Sequence, residues 1–165
     1  MFTVSLRDSF CPLFRQLSHW FKLTLNHALK EDKEKTGAML LDFSVLEKHL
    51  ENYDKSEQLL KRALEIFREQ KNRKSTCEAL VFLATLYFDW QNFDLSQAAT
   101  LESLALAQEE HDQYLVAVSM HNLGRVAEKQ GNLNEARLFG QKSLAIFETL
   151  EEAQAPIDMI RQWLA

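Results

Sequence analysis

Glycine and proline are scarce in this chain, with four glycines and two prolines among 165 residues. Folds with many tight turns depend on both, because glycine supplies positive φ angles and proline fixes φ in turns. Apolar residues make up 46% of the chain and charged residues 26%. These proportions argue against a turn-rich β fold. They favour long helices in a single domain with a continuous core.

Residues that hold metals or perform catalysis are few and unpatterned. Two cysteines, Cys11 and Cys77, are too few for a disulfide framework or a zinc site, which indicates a reducing compartment. The histidines show no i, i+4 spacing with each other or with a cysteine; they are His19, His27, His49, His111 and His121. Neither a Gly-x-Ser-x-Gly turn nor a Gly-x-x-x-x-Gly-Lys loop occurs. We therefore expect no metal, no cofactor and no enzyme activity.

A basic surface and a long apolar run are also missing. The net charge of −5 argues against a nucleic-acid partner, because binding phosphates needs a local excess of lysine and arginine. No apolar run approaches the 18 or so residues of a membrane helix. Arg7 and Asp8 interrupt the apolar N-terminus, and no small-residue cleavage pattern follows. We expect a cytoplasmic protein without a membrane partner.

An internal repeat is the main feature that is present. The segment 120–147, MHNLGRVAEKQGNLNEARLFGQKSLAIF, matches the sequence 40 residues earlier and, more faintly, the sequence 80 residues earlier. The aligned sets are Asn52/Asn92/Asn132, Leu64/Leu104/Leu144, Leu46/Leu86/Val126 and three small sites, Ser44/Ala84/Gly124, Ser56/Ser96/Ala136 and Ala63/Ser103/Ser143. A fixed period of this length predicts a solenoid, since each unit must stack on its neighbours to bury its apolar face.

The third copy resembles the tetratricopeptide repeat. It carries Asn122-Leu123-Gly124 on its first helix, Gly131-Asn132 in its turn, and Ala136 with Ser143-Leu144 on its second helix. The second copy keeps part of this pattern and the first copy keeps less, so the resemblance covers residues 37 to 151. The period of about 40, against the common 34, is similar to the variant with extended helices found in signalling proteins.

The resemblance implies an all-α, right-handed α–α superhelix, a tetratricopeptide-like solenoid of about three helix pairs. We predict repeats at 37–74, 75–113 and 114–151. Residues 1–36 are predicted to form an N-terminal arm and capping helix, with a degenerate or truncated repeat as the alternative. Residues 152–165 are predicted to form a C-terminal capping helix, because Ile157, Ile160 and Leu164 share one helical face.

Several residues carry finer predictions. Ser75 with Glu78 reads as a capping box that opens a helix. Gly131 is expected to end a helix in the left-handed conformation. Tyr87 and Trp90 are expected to pack between helices. Gly140 lies in the middle of a predicted helix, where glycine is unfavourable. This predicts close approach by a bulky neighbour, such as an aromatic residue of the final helix.

In the tetratricopeptide family the first helices line a concave groove. The register places eight candidate partner-binding residues there. They are Val81, Phe82, Thr85 and Phe88 at an apolar end and His121, Asn122, Arg125 and Lys129 at a polar end. The resemblance implies that Asn122 bonds the backbone of an extended peptide and that Arg125 clamps a carboxylate. The alternative is structural, with Asn122 satisfying a turn and Arg125 pairing with Asp89 or Glu128.

The preferred interpretation is a non-catalytic protein–protein interaction scaffold that receives a peptide or helix. Phe82 and Phe88 would anchor this partner, and Asn122 and Arg125 would orient it. The alternative is a regulatory or sensor region of a larger bacterial signalling protein. In that case its apolar N-terminal helices would pack on a missing domain or on a second copy, forming a homodimer.

Overall fold

The computed structural model describes residues 33–150 and 153–165. These described residues form seven α-helices and no β-strand. The helices are α1 (Lys33–His49), α2 (Tyr53–Glu69), α3 (Arg73–Asp89), α4 (Phe93–Glu109), α5 (Gln113–Lys129), α6 (Leu133–Phe147) and α7 (Gln154–Leu164). The predicted all-α fold is confirmed, and α7 forms where the C-terminal capping helix is predicted. Most of the predicted N-terminal arm and capping helix lies outside the described residues.

The helices follow a strict register. From α1 to α6 each helix begins 20 residues after the one before it, so that helix pairs begin at Lys33, Arg73 and Gln113. The pairs therefore repeat every 40 residues, the period read from the sequence. The three pairs begin four, two and one residues before the predicted repeat boundaries at 37, 75 and 114, because the polar residues ahead of each apolar pattern are already helical.

Every turn between α1 and α6 has the same backbone. Each has one residue in the left-handed conformation, and these are Glu51, Lys71, Gln91, His111 and Gly131. In the fourth turn the His111 N–H donates to the Gln108 carbonyl at 3.2 Å, and the Asp112 N–H donates to the Ala107 carbonyl at 3.0 Å. This is the Schellman motif, which satisfies the last carbonyls of a helix. Gly131, with φ of 84°, confirms the prediction for that residue.

At the starts of α3, α4 and α5, the side chain of the residue after the left-handed position caps the following helix. The Asn72 Oδ1 accepts from the Ser75 N–H at 3.0 Å, and Asn92 and Asp112 cap α4 and α5 in the same way. The predicted capping box of Ser75 and Glu78 is therefore wrong, since Ser75 already lies in the first turn of α3. Because the Schellman turn fixes where the chain reverses, it places Asn72 at the N-cap.

By contact density the chain forms two compact units, Met1–Ile66 and Phe67–Ala165. In the first unit, the Ser56 Oγ on α2 donates to the Ser44 carbonyl on α1 at 2.8 Å, and both residues are buried. The carboxylate of Glu47 is also buried there. It accepts from the side-chain amide of Asn52 at 2.8 Å and pairs with the ammonium of Lys55. Burial of this charge is tolerated because both oxygens have partners.

In the second unit, the small buried sites join neighbouring helices. The Ser96 Oγ on α4 donates to the Ala84 carbonyl on α3 at 2.8 Å. The Ser143 Oγ on α6 donates to the Ala117 carbonyl on α5 at 2.7 Å. Each small side chain lets two backbones approach closely and satisfies a carbonyl as well. The small sites of the repeat are all buried.

Two apolar clusters then connect successive pairs of this unit. Cys77, Ala107, Leu115 and Val116 join α3, α4 and α5. The second cluster joins α5, α6 and α7 and consists of Ala117, Phe147, Ala153, Ile157 and Ile160. Leu104 packs against the first cluster and Leu144 against the second. The two leucines, 40 residues apart, therefore have equivalent roles.

Aromatic residues at the end of α3 differ in burial. Tyr87 is buried as predicted, whereas Trp90 is 37% exposed. The prediction that Trp90 packs in the core is wrong, because this residue follows the last residue of α3 as its C-cap.

The final helix packs on α6 through Trp163. A Cβ atom added to Gly140 would lie 2.4 Å from Trp163 Cζ3, and one added to Gly124 would lie 2.9 Å from Trp163 Cη2. The indole therefore fills a slot that the two glycines leave open. This confirms the prediction that Gly140 permits close approach by an aromatic of the final helix.

Candidate functional site

One face of α5 forms the floor of a groove in the second unit. Tyr114, Val118, His121, Asn122 and Arg125 follow helical i, i+4, i+7, i+8, i+11 spacing and therefore lie on the same side of the helix. The groove has a volume of about 640 Å³. Its lining is contributed by α3, α5, α6, the start of α7 and the slot-filling indole: Phe88, Tyr114, Val118, His121, Asn122, Arg125, Glu128, Lys129, Phe147, Pro156, Met159 and Trp163.

Helix α7 supplies a wall of the groove that the sequence analysis did not assign to it. Pro156, Met159 and Trp163 face the cavity, and Met159 is 50% exposed. The Trp163 Nε1–H donates to the Glu128 Oε2 at 3.0 Å, which fixes the indole against α5. The signal was present in Gly140, which predicted the approach of an aromatic. That Trp163 also lines the groove depends on the angle at which α7 crosses α6, and the sequence does not contain this angle.

His121 is a nearly buried polar residue on the groove floor, with 8% of its surface exposed. Its ring meets the indole of Trp163 edge to face, with the centroids 5.5 Å apart and the planes at 87°. Burial, with a smaller contribution from the charge of Arg125, lowers the pKa of His121 to about 4. The imidazole is therefore neutral near pH 7. Its Nδ1 atom has no hydrogen-bond partner.

Asn122 lies beside it and is equally buried, with 8% exposed. Its Nδ2 atom also lacks a hydrogen-bond partner. Within the described residues, these two side-chain atoms are the buried polar atoms left unsatisfied. Such a group costs the fold about 1–3 kcal/mol, so native structures contain few of them. Both atoms belong to residues that line the same groove.

Arg125 lies on an aromatic ring of the preceding pair. Its Cζ atom is 4.0 Å from the centroid of the Phe88 ring, a cation–π contact in which the flat guanidinium covers the ring face. Phe88 in turn meets Phe93 edge to face at 5.7 Å. The predicted separation of Phe88, at an apolar end, from Arg125, at a polar end, is therefore wrong. The two side chains form one contact, because α3 and α5 pack side by side.

Two of the three remaining predicted residues line a neighbouring cavity. Val81 and Phe82 line a second cavity of about 530 Å³, and Phe82 is 40% exposed. This cavity shares Tyr114 and Val118 with the groove. Thr85 lines neither cavity, and its Oγ1 donates to the Val81 carbonyl within α3. The groove therefore brings together five predicted residues, which are Phe88, His121, Asn122, Arg125 and Lys129.

Neither a metal cluster nor a membrane helix is found in the part of the chain that the structure describes. Within residues 33–150 and 153–165, no three histidine, cysteine, aspartate or glutamate side chains are grouped as metal ligands would be. No helix in these same ranges has both the length and the apolar character that crossing a bilayer requires.

Comparisons with known proteins agree with this architecture. The family model of the tetratricopeptide repeat matches residues 35–107 and 75–149. No curated protein matches the sequence. Among solved structures, the chain is similar to BtubC (BKLC) from P. vanneervenii, with a TM-score of 0.81 and 20% sequence identity over 96% of this chain and 67% of that chain. At this identity the likeness shows the fold alone. Because the two family matches together cover more than half of the sequence, the chain belongs to the tetratricopeptide repeat family.

Proposed function

We propose that this chain is a cytoplasmic, non-catalytic scaffold that binds a peptide segment of another protein in the groove on α5. Tetratricopeptide repeats generally mediate protein–protein interaction, and they are typically scaffolds without catalysis. The proposal assigns the groove residues Phe88, His121, Asn122, Arg125 and Lys129 to the partner. Val81 and Phe82, in the adjoining cavity, are assigned to a second anchor of the same segment.

The observation that carries the proposal is the groove itself, whose floor places His121, Asn122 and Arg125 beside apolar side chains of α3, α6 and α7. A mostly apolar cavity with a few polar groups that converge on it is the usual form of a binding site. The size of the cavity, about 640 Å³, suits one or two side chains of an extended segment.

The groove also carries the two kinds of contact that dominate protein interfaces. Tyr114 and Phe147 form an edge-to-face pair with centroids 5.6 Å apart. With Met159 they offer an apolar surface for an anchoring side chain. Arg125 and Lys129 add positive charge at the other side of the floor. Because the Arg125 guanidinium is covered on one face by a ring, its N–H edges remain the means by which it would bind a carboxylate.

Selection from a randomised peptide display library on the immobilised full chain tests this proposal. We expect the wild-type chain to enrich related peptides that contain an apolar anchor and an acidic residue. The double variant Asn122→Ala/Arg125→Ala should bind the enriched peptides about 100-fold more weakly, since it removes two polar contacts of a bound segment.

The matched control is Asn134→Ala/Arg137→Ala, which changes the same residue types at exposed positions of α6 outside the groove. We expect this control to bind within twofold of wild type. Equal losses in the two double variants, or peptides that bind both variants as well as wild type, would reject the groove as the binding site.

One observation favours the second candidate, self-association. Helix α7 has 11 residues where α5 has 17, and Leu133 at the start of α6 is 67% exposed. It lies with Trp163 and Leu164 around a separate cavity of about 380 Å³. A second copy that covered this edge would bury apolar surface that the short helix leaves open.

Light scattering during size-exclusion chromatography, over a range of loading concentrations, tests this candidate. If the edge forms a dimer, Leu133→Arg should give a monomer at concentrations where wild type is dimeric. Leu101→Arg, at another exposed leucine on α4, should leave the dimer intact. A wild-type chain that stays monomeric throughout the range would remove the candidate.

A further inference from the structure

The outer face of α4 is apolar and exposed. This helix packs on its neighbours through the opposite face, which carries the buried residues Ser96, Ala99, Thr100, Ser103 and Ala107. The outer face carries four exposed apolar residues at i, i+3, i+6 and i+10, which are Leu95, Ala98, Leu101 and Ala105. We call these four residues the α4 stripe. Because the fold does not bury them, they form the kind of apolar surface that marks an interaction site.

The 40-residue register shows that the stripe is particular to the second pair. At the same four places α2 carries Lys55, Gln58, Lys61 and Glu65, and α6 carries Glu135, Leu138, Gln141 and Ala145. Among the second helices that the structure describes, α4 alone is apolar at all four places. The stripe is therefore a property of this pair and not a requirement of the repeat.

A cavity of about 530 Å³ adjoins the second half of the stripe. Ala105 belongs to both, and Leu106 also lines the cavity. The other walls lie within the second unit, at the end of α2, in the next turn and at the start of α3, and they carry the basic residues Arg68, Lys71 and Arg73. The stripe thus has a small residue and a hollow at one end and a large residue, Leu95, at the other.

The two ends of the stripe also carry opposite charges. The two arginines of the cavity are neutralised by glutamates of α4, in the pairs Arg68–Glu102 and Arg73–Glu109. The ammonium of Lys71 at the cavity and the carboxylate of Asp94 in the first turn of α4 are both exposed. Neither takes part in an ion pair among residues 33–150 and 153–165. An uncompensated negative charge therefore marks one end, and an uncompensated positive charge marks the other.

We propose that two copies of this chain form a dimer through the α4 stripe, with their α4 helices antiparallel. A twofold axis brings the same surface to both sides of the contact. Leu95 of one copy then lies over Ala105 of the other copy and enters the cavity beside it. At the centre, Ala98 of each copy meets Leu101 of the other. Each large side chain thus faces a small one, so the surface is complementary to itself.

The charges select the antiparallel arrangement. Parallel helices would place Asp94 against Asp94 and Lys71 against Lys71, and these like charges repel. Antiparallel helices place Asp94 of each copy beside Lys71 of the other copy, so that two contacts between opposite charges form in one dimer. Such complementarity fixes the register of an interface.

The dimer is expected to be weak and reversible. One face of a 17-residue helix offers less than the roughly 800 Å² per partner of a standard interface. The inference goes beyond the proposed function, because the stripe shares no residue with the groove on α5 or with the cavity at Leu133.

Sedimentation velocity of the full chain, at concentrations up to about 500 µM, tests the contact. We expect a reversible dimer that Leu101→Arg weakens by more than about tenfold, since it places two arginines at the centre of the contact. Leu138→Arg, at an exposed leucine on α6, is the control and should dimerise within twofold of wild type.

Two results would overturn the inference. One is a chain that stays monomeric throughout the range, in which case a helix of another protein remains as the occupant of the stripe. The other is a dimer that survives Leu101→Arg and is dissolved by Leu138→Arg or by Leu133→Arg.

Charge exchange tests the antiparallel alignment. The variants Asp94→Lys and Lys71→Glu introduce residues that other elements carry at the matching places, Lys74 on α3 and Glu51 in the first turn. Each variant alone puts like charges together twice in a dimer and should dimerise about tenfold more weakly than wild type. An equal mixture of the two restores both contacts between opposite charges, so it should form a heterodimer with an affinity within twofold of the wild-type dimer.

A mixture that associates no more strongly than the separate variants would overturn the inference. None of these variants should change the affinity of the groove for a library-selected peptide. A failure of the dimer therefore leaves the proposed function intact, and a chain that selects no peptide leaves the dimer intact.

Discussion

The second and third helix pairs share one backbone register but close in different ways. In the pair α3/α4, the Ser96 Oγ donates to the Ala84 carbonyl at 2.8 Å. Thr100, one turn further along α4, is buried and donates to the carbonyl of Ser96 at 2.7 Å. At this level the pair is joined by the hydrogen bond between Ser96 and Ala84, and the Thr100 bond lies within α4.

In the pair α5/α6, the equivalent positions are Gly124, Ala136 and Gly140. No hydroxyl is present at these three positions, and the space above the glycines is filled by Trp163 from α7. The period therefore determines where helices begin, whereas the residues at a few small sites determine what packs on each pair. In the third pair, the glycines at these sites admit Trp163, which also forms a wall of the groove.

The largest predicted effect comes from giving the third pair a residue of the second pair. Gly140→Thr places a Cβ atom 2.4 Å from Trp163 Cζ3 and 2.9 Å from Leu164 Cδ2, so α7 must shift or detach. We expect a loss of about 3 kcal/mol in the free energy of unfolding, the upper part of the range for overpacking. Urea denaturation followed by circular dichroism measures it.

A double-mutant cycle sharpens this prediction. If the clash with the indole is the cause, Gly140→Thr should cost much less when Trp163→Ala is already present. Thr100→Gly is the reciprocal change in the second pair, and it should cost about 1 kcal/mol through helix propensity and lost packing. Equal effects of Gly140→Thr with and without Trp163 would show that the slot does not hold the indole.

The second prediction is that the free energy of unfolding depends on pH through His121, whose counterpart in the second pair, Val81, does not titrate. The pKa of His121 is about 4 in the folded chain and about 6.5 in the unfolded chain. The unfolded state therefore binds the proton more readily. The stability that comes from the neutral ring is complete above pH 6.5 and is lost as the pH falls from 6.5 towards 4.

We expect this residue to account for a loss of about 2 kcal/mol between pH 7 and pH 5. The measurement is the free energy of unfolding at the two pH values for wild type and for His121→Val. The difference between pH 7 and pH 5 should be smaller in the variant. If the two proteins lose stability in parallel, the ring is not held neutral by burial.

The sequence predicts the register well and the contacts between pairs less well. The 40-residue period, the left-handed Gly131 and the aromatic above Gly140 all follow from local patterns, because each depends on residues that are close in one helix or turn. Phe88 and Arg125 lie on different pairs, and their stacking depends on the angle between α3 and α5. Neither propensity nor spacing contains that angle.

The N-cap of α3 shows a second limit. Ser75 has the residue type and spacing of a cap, but the turn before it reverses at Lys71 and places Asn72 at the N-cap. Because a lysine in the left-handed conformation carries no clear signal in the sequence, the residue at which the chain reverses could not be located from the sequence. The helix start was displaced with it.

The third prediction removes a hydroxyl from the second pair and adds one at the matching site of the third pair. Ser96→Ala removes the hydrogen bond to the Ala84 carbonyl and leaves that buried oxygen with one bond fewer, so we expect a loss of about 1 kcal/mol. Ala136→Ser introduces the hydroxyl at the matching site of the third pair, where we expect a gain of up to about 0.5 kcal/mol. Thermal denaturation of the two variants measures both. A gain from Ser96→Ala would contradict the role given to the hydroxyl.

The smallest effect concerns the turns. His111 is an exposed residue with φ of 56°, a conformation that disfavours residues with a Cβ atom. His111→Gly should raise the free energy of unfolding by about 0.5 kcal/mol, since glycine relieves this strain but adds flexibility to the unfolded chain. Gly131→Ala, at the matching position of the next turn, should lower it by about 1 kcal/mol. Chemical denaturation should show these opposite signs.

The central claim is that α7 completes a partner-binding groove in the third pair by inserting Trp163. The most direct measurement is the affinity of a library-selected peptide for Trp163→Ala and for Trp90→Ala, at temperatures where circular dichroism shows both variants to be folded. Trp90 is a partly exposed tryptophan at the end of α3 and does not line the groove. We predict a loss of at least about tenfold for Trp163→Ala and a change within twofold for Trp90→Ala. Equal affinities of the two variants for the peptide would contradict the account.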